Sequence, residues 1–389
     1  MDALKLNSKL HLLLGEELSE TGLFRNDEGL TLPPNLINLH FNRYYRQRRY
    51  EEALDCYNRI ILLSPKNVLA YYLKGIVFLD MGDQEDAIDC FDEALRMSPN
   101  FTNAHYTKGQ TLKLMGRTEE AMDCFDKAVS LDSNCFEALH YKALALNEMG
   151  KCEEGLEYCE KAIKLKSDDA ETYVDKGYAL FKLGRNEEAV ECYDKAISLK
   201  PDLVDIYENK ANVLRKMGKN EEAVDCLDKA LSLDPDYPPN YFSKGEVLNE
   251  LGKYEEAIDC FDEAISLAPD YSDAYYEKGY ALHKMGKYEE AIDCYEEVIS
   301  LNPDGPNAPG AHFNTGVALH KTGKLEEAIG SYDKAINIDP GYSEAYMCKA
   351  YALHKMGKFE EARDCHKKAG DLDPKYIQAD LKKIVIPDI

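Results

Sequence analysis

The chain has 389 residues, a formal net charge of −25 and 44% hydrophobic residues, with 27 Tyr and no Trp. That charge argues against a nucleic-acid partner, since phosphate binding relies on Lys and Arg to displace counterions. No run approaches the roughly 18 apolar residues that cross a bilayer, and Leu12, Leu13 and Leu14 lack the setting of a signal peptide; the expectation is a soluble cytoplasmic protein with no membrane contact.

Residues 1–33 precede any long-range pattern. Leu4, Leu10, Leu13 and Leu14 recur at helical intervals, and a stretch through Asn26, Asp27 and Gly29 leads to Pro33 and Pro34. The segment reads as a capping helix followed by a loop.

From there the chain repeats. Small residues stand at Ala53, Ala87, Ala121, Gly155, Ala189, Ala223, Ala257, Ala291, Ala328 and Ala362, spaced by 34 except for one interval of 37. Seven residues after most of them comes a second Ala, and twelve after most of them a Pro, from Pro65 and Pro99 to Pro340 and Pro374. This register divides 34–376 into ten units: 34–67, 68–101, 102–135, 136–169, 170–203, 204–237, 238–271, 272–305, 309–342 and 343–376. A chain that repeats in this way grows by stacking units, so its length sets their number and not the number of separate cores.

The unit 272–305 shows the local logic. Ser272 or Asp273 is placed to cap a first helix, along which Tyr275, Tyr276, Gly279, Tyr280 and Leu282 fall on one face. Gly286 stops it, because a left-handed glycine ends a helix and reverses the chain. A second helix opens on Glu289 and Glu290, buries Ala291, Ile292, Tyr295, Val298 and Ile299, and ends before Pro303. Gly279 and Ala291 are expected where the two helices approach most closely, with Tyr295 filling the space beside them. Between Asp304 and Ala311 the connection gains three residues and two prolines, Pro306 and Pro309, which reads as a longer surface loop. In 377–389, Ala379, Leu381 and Ile384 are placed to cover the last unit as a C-terminal capping helix.

A 34-residue helix-turn-helix unit carrying a large residue, Gly or Ala, Leu, Gly, Ala, an aromatic, Ala and Pro in that order resembles the tetratricopeptide repeat. Departures are the Tyr in place of Trp at Tyr71, Tyr173, Tyr207, Tyr241, Tyr275 and Tyr346, Gly155 in place of Ala, and a first unit without the turn glycine and with Phe41 at a small position. The resemblance implies an all-α, right-handed superhelical solenoid of about ten antiparallel helix pairs with terminal capping helices. It also implies a non-enzymatic scaffold or adaptor that binds peptides or partner proteins along a concave groove, needs no cofactor, and offers its terminal repeats for self-association.

Twelve cysteines invite a metal or redox reading, but eight of them, Cys56, Cys90, Cys124, Cys192, Cys226, Cys260, Cys294 and Cys365, share one repeat position. Like positions in neighbouring units are too far apart for a disulfide, and no CxxC or Cys/His pairing is present. They read as small buried hydrophobes in a reducing compartment. Acidic pairs such as Glu51/Glu52, Glu187/Glu188 and Glu326/Glu327 recur in every unit, at the start of the second helix, where the macrodipole favours negative charge. A feature present in all ten units is architecture, and no phosphate loop or nucleophile elbow accompanies it.

By the same resemblance, ligand-facing positions fall four, eight, eleven and twelve residues after each unit's first. They hold the aromatics Tyr72, Tyr106, Tyr178, Phe181, Phe242, Tyr276, Tyr280, Phe313 and Tyr351, together with Asn212. Towards the C-terminus they turn basic: Lys182, Arg215, Lys216, His283, Lys284, His320, Lys321, His354 and Lys355. Aromatics make good anchors, and the basic residues point to an acidic peptide or a C-terminal carboxylate. Asn212 is accompanied by Glu208, so the lysine-and-asparagine clamp for chaperone C-termini is not reproduced. Two rival readings are an RNA-binding helical repeat protein and a non-catalytic subunit of a transferase or peptidase assembly.

Overall fold

The computed structural model describes residues 24–25, 31–32 and 49–377. The expected N-terminal capping helix, the first helix of unit 34–67 and the body of the expected C-terminal helix lie outside these residues. Two short strands, β1 (Phe24–Arg25) and β2 (Thr31–Leu32), pair antiparallel with Phe24 opposite Leu32.

Everything else in the described residues is helical, and the chain is an all-α helical repeat protein. Helix α1 (Tyr50–Leu63) is a second helix, and nine full pairs follow it. They are α2 (Val68–Met81) with α3 (Gln84–Met97), α4 (Thr102–Leu114) with α5 (Thr118–Leu131), and α6 (Phe136–Glu148) with α7 (Cys152–Leu165). Next come α8 (Ala170–Lys182) with α9 (Asn186–Leu199), α10 (Val204–Lys216) with α11 (Asn220–Leu233), and α12 (Pro238–Glu250) with α13 (Tyr254–Leu267). The last are α14 (Ser272–Lys284) with α15 (Tyr288–Leu301), α16 (Ala308–Lys321) with α17 (Leu325–Ile338), and α18 (Ser343–Lys355) with α19 (Phe359–Leu372). The chain forms two compact units, 1–179 and 180–389. In each, consecutive helices pack on one another, and successive first helices also touch: α4 with α6 in the first unit, α12 with α14 and α16 with α18 in the second.

The turn within a pair has one cause. Gly286 has φ +77°, its N–H donates to the His283 carbonyl at 2.9 Å, and the Lys287 N–H reaches back to Leu282 at 2.9 Å. These two bonds satisfy carbonyls that the end of α14 leaves unpaired, and the left-handed conformation they need suits glycine. Helix starts differ from expectation. Ser272 is the first residue of α14, Tyr271 precedes it, and no side chain caps the helix; Asn67, ahead of α2, does cap, accepting from the Ala70 N–H at 3.0 Å.

Within a pair, the close approach falls at the first-helix glycine. A β-carbon at Gly279 would lie 2.7 Å from Tyr295 Cε1, and one at Gly316 would lie 2.6 Å from the matching ring atom of Tyr332. Gly75 with Phe91, Gly109 with Phe125 and Gly245 with Phe261 repeat the arrangement. Where the residue sixteen further on is not a six-membered ring (Cys159, Leu227 or His366), the first-helix position is Ala143, Ala211 or Ala350. Size is therefore exchanged across the helix pair, as close packing requires. Gly155 has a similar cause: a β-carbon there would run into the Asn147 side-chain amide, whose Nδ2 donates to the Asp175 carbonyl at 3.0 Å.

Between pairs, a second relation recurs. A first-helix lysine reaches a carboxylate on the preceding second helix: Lys108 to Asp92 (2.5 Å), Lys142 to Asp126 (2.5 Å), Lys176 to Glu160 (3.2 Å), Lys210 to Asp194 (2.6 Å), Lys244 to Asp228 (2.6 Å), Lys278 to Asp262 (2.5 Å) and Lys349 to Asp333 (2.5 Å). The repeat-position cysteines lie beside this ladder, and burial pushes the Cys260 and Cys294 thiols up to about 11.

Candidate functional site

The positions four residues into each unit do not form an open surface. Tyr72 is 1% exposed: its ring meets Phe101 edge-on at 5.0 Å and tilts against Phe91 at 5.7 Å, and its hydroxyl lies 3.3 Å from Thr107 Oγ1. Tyr106 and Phe313 are likewise buried, the latter between Tyr332 and Tyr342. These three belong to the core, a correction to their expected role as ligand anchors. The reason is geometric. This position points into the wedge between its own second helix and the residue that leads into the next pair, so whatever stands there is packed from both sides. Phe242 fills the same wedge between Phe261 and Tyr271 but remains half-buried. Tyr276 is half-buried too, held by Asn314, whose Nδ2 donates to its hydroxyl at 3.1 Å.

The positions eight, eleven and twelve residues in are more open, apart from the buried Asn147, Asn249, His283 and Val317. His283 is 4% exposed, turned edge-on to Tyr288 at 5.0 Å where the Gly286 turn brings the second helix back, so it is core and not a surface cation. His320 is half-buried and stacks on Tyr351 at 5.3 Å with an interplanar angle of 18°. Burial, reinforced by Lys355 and Lys321, lowers its pKa to about 4, so it is neutral at pH 7. His354 meets Phe359 edge-on at 5.2 Å. Tyr178 is half-buried and Asn212 exposed.

Arg215 is, after His283 and His320, a third change to the expected basic stripe. It is clamped by Glu246 at 3.0 Å and Glu250 at 2.7 Å, so its charge is spent within the protein. The first helices also carry an acidic stretch of which only Glu208 is singled out in the sequence: Glu208 lies on α10, Glu246 and Glu250 on α12 and Glu277 on α14, and burial raises the carboxyls of Glu208 and Glu277. Glu277 also accepts from Asn249 Nδ2 at 3.3 Å. Their signal lies in the sequence: Glu208, Glu246 and Glu250 occupy the mapped positions and Glu277 stands beside one.

Beyond the acidic stretch the surface changes character. Lys284 Nζ sits 5.2 Å above the Tyr280 ring, and Lys355 Nζ sits 5.3 Å above Tyr351, whose own ring carries His320. Lys216 stands 5.0 Å over Phe181 in the same manner. Such cation–π pairs hold an ammonium upright over an aromatic face while leaving it hydrated. Helices α14 and α18 thus present half-buried rings topped by positive charge, and α16 between them adds the exposed Lys321.

Comparison with known families is consistent along the chain. Tetratricopeptide repeat patterns match residues 102–135, 204–237 and 272–304, residues 177–218, 245–286 and 316–357, and residues 41–110, 226–259 and 343–376. The chain belongs to the tetratricopeptide repeat family. Membership places it among repeat proteins that act through protein–protein interaction. No curated protein sequence matches this tetratricopeptide repeat chain. Similar solved structures include the MamA protein (26% identity, 45% of this chain and 94% of that one, TM-score 0.42). Another is YrrB, described as a TPR protein with an unusual peptide-binding site (28% identity, 48% and 94%, TM-score 0.41). A third is MamA 41-end from Desulfovibrio magneticus RS-1 (24% identity, 45% and 97%, TM-score 0.42). Among the described residues of this repeat protein, no helix is long and apolar enough to cross a membrane.

Proposed function

We propose that the chain is a non-enzymatic scaffold that binds an acidic peptide or partner segment across α14, α16 and α18. The observation that carries this is the recurrence, on the first helices α14 and α18 that flank α16, of a half-buried ring under a lysine: Tyr280 under Lys284 and Tyr351 under Lys355. A ring supplies contact area at little entropic cost, and the ammonium above it supplies charge complementarity for carboxylates. Glu208, Glu246 and Glu250 on α10 and α12 favour one register, with the acidic end of a ligand towards α16 and α18, while Glu277 on α14 is engaged by Asn249. Twelve thiols, several with raised pKa values, fit a reducing compartment such as the cytoplasm.

The reading is tested by selecting a random peptide library on the purified protein and sequencing what is retained. Enrichment of peptides rich in Asp and Glu, competed by moderate salt, supports it. Retention of labelled RNA with no peptide enrichment would replace it with the nucleic-acid reading.

A further inference from the structure

The lysine–carboxylate ladder is broken once inside the second unit, and a cavity stands at the break. At the junction of α15 with α16, the lysine position holds Thr315 and the carboxylate position holds Glu296. The Thr315 hydroxyl donates to its own helix, to the Ala311 carbonyl at 2.9 Å. Glu296 makes no ion pair among the described residues, whereas its counterpart Asp262 holds Lys278 at 2.5 Å.

Three more departures from the repeat converge here. The position that is Asp259 or Asp293 elsewhere is Gly330, the position that is Cys260 or Cys294 is Ser331, and the position that is Tyr241 or Tyr275 is His312. Each replaces a larger side chain with a smaller one, and a β-carbon at Gly330 would meet nothing within 4 Å. Together they open a cavity of about 540 Å³ between second helices α15 and α17, lined by Glu296, Thr315, Gly330, Ser331 and His312. Ile292, Ile299 and Leu319 give it apolar walls.

Charge at the cavity favours a cation. Glu289, Asp293, Glu296 and Glu327 bring four carboxylates, against two ammonium groups from Lys324 and Lys334. Burial, with Lys334 nearby, lowers the pKa of His312 and so disfavours a further positive charge there. Seven other junctions of the same chain show what such a place accepts: an alkyl stem along the helix pair with an ammonium on the carboxylate.

We propose that this niche is a docking site for a lysine side chain of a partner protein, which completes the ladder in trans by placing its ammonium on Glu296. The niche is lined by α15, α17 and the His312, Thr315 and Leu319 side of α16, none of them residues of the proposed peptide surface, so it does not depend on that reading. Lysine is the cation argued for because the seven intact rungs each place a lysine ammonium on the matching carboxylate, and Ile292, Ile299 and Leu319 supply apolar wall for its alkyl stem.

The test uses the full chain, labelled for NMR, titrated with the capped tripeptide Gly-Lys-Gly and with the same peptide carrying norleucine. The expected result is saturable shifts at the Thr315, Gly330 and Ser331 amides with the lysine peptide only, at a Kd on the order of millimolar, as befits one side chain. Thr315→Lys should restore the internal pair, raise the melting temperature and abolish the shifts; Glu296→Gln, which keeps shape and removes charge, should weaken binding about tenfold. Equal shifts with norleucine, shifts with inorganic sulfate in place of lysine, or undiminished binding in Glu296→Gln would each overturn the proposal.

Discussion

The ring of Phe261 occupies the place that a β-carbon on Gly245 would take, with Cε1 2.5 Å from that point. The same relation of glycine to a Phe or Tyr ring recurs along the chain, and it yields to alanine where Cys159, Leu227 or the smaller His366 stands instead. The pairs thus record one constraint, the fixed distance between the two helices of a unit.

Gly245→Ala is therefore expected to destabilise by about 1–3 kcal/mol through overpacking, despite the better helix propensity of alanine. Combining it with Phe261→Leu reproduces the Ala211 and Leu227 arrangement of another unit and should recover part of the loss. Urea unfolding of the two single variants and the double variant checks this, and additive losses would contradict it.

Removing one rung of the ladder should matter little by itself. In the Lys278–Asp262 pair the side chains are 23% and 52% exposed, which limits Lys278→Met to a loss of about 0–1 kcal/mol, smaller at high salt. Thermal melts of this variant at low and high ionic strength give the measurement.

The first unit contains a carboxyl with the opposite economy. Burial pushes Asp175 up to about 7, with Glu171 adding repulsion and Lys113 offsetting part of it, while His140 Nδ1 lies 3.4 Å from Oδ2. A raised folded pKa means the native state keeps a proton that the unfolded chain releases near pH 4. The stability this proton supports is complete below about pH 4 and is lost as the pH rises to about 7. Asp175→Asn should flatten that slope and gain on the order of 1 kcal/mol at pH 8, read from denaturation curves at pH 5 and pH 8.

Much of the fold was legible in the sequence because its determinants are local and repeated. Gly286 marks a turn by its position after a periodic segment, and Ala291 marks a close approach by its recurrence. Burial on the first-helix face was less legible. The 34-residue period assigns Tyr72, Phe313 and Phe242 one position, but whether a ring there is enclosed depends on Phe101, Tyr342 or Tyr271 from the next pair. His283 and Arg215 misled for a similar reason: the residues that enclose or neutralise them, Tyr288, Glu246 and Glu250, lie on other helices. The cavity at Thr315 was hidden because its four departures are scattered between residues 312 and 331 and meet only when α15, α16 and α17 pack.

The central claim is that lysines held over rings on α14 and α18, with Lys321 on α16, recognise acidic segments. The most direct measurement is the affinity of a selected acidic peptide for the wild-type protein and for the combined variant Lys284→Glu, Lys321→Glu, Lys355→Glu, compared at equal helicity. A loss of about tenfold or more, with a weaker salt dependence in the variant, is the predicted result. An unchanged Kd would contradict the account.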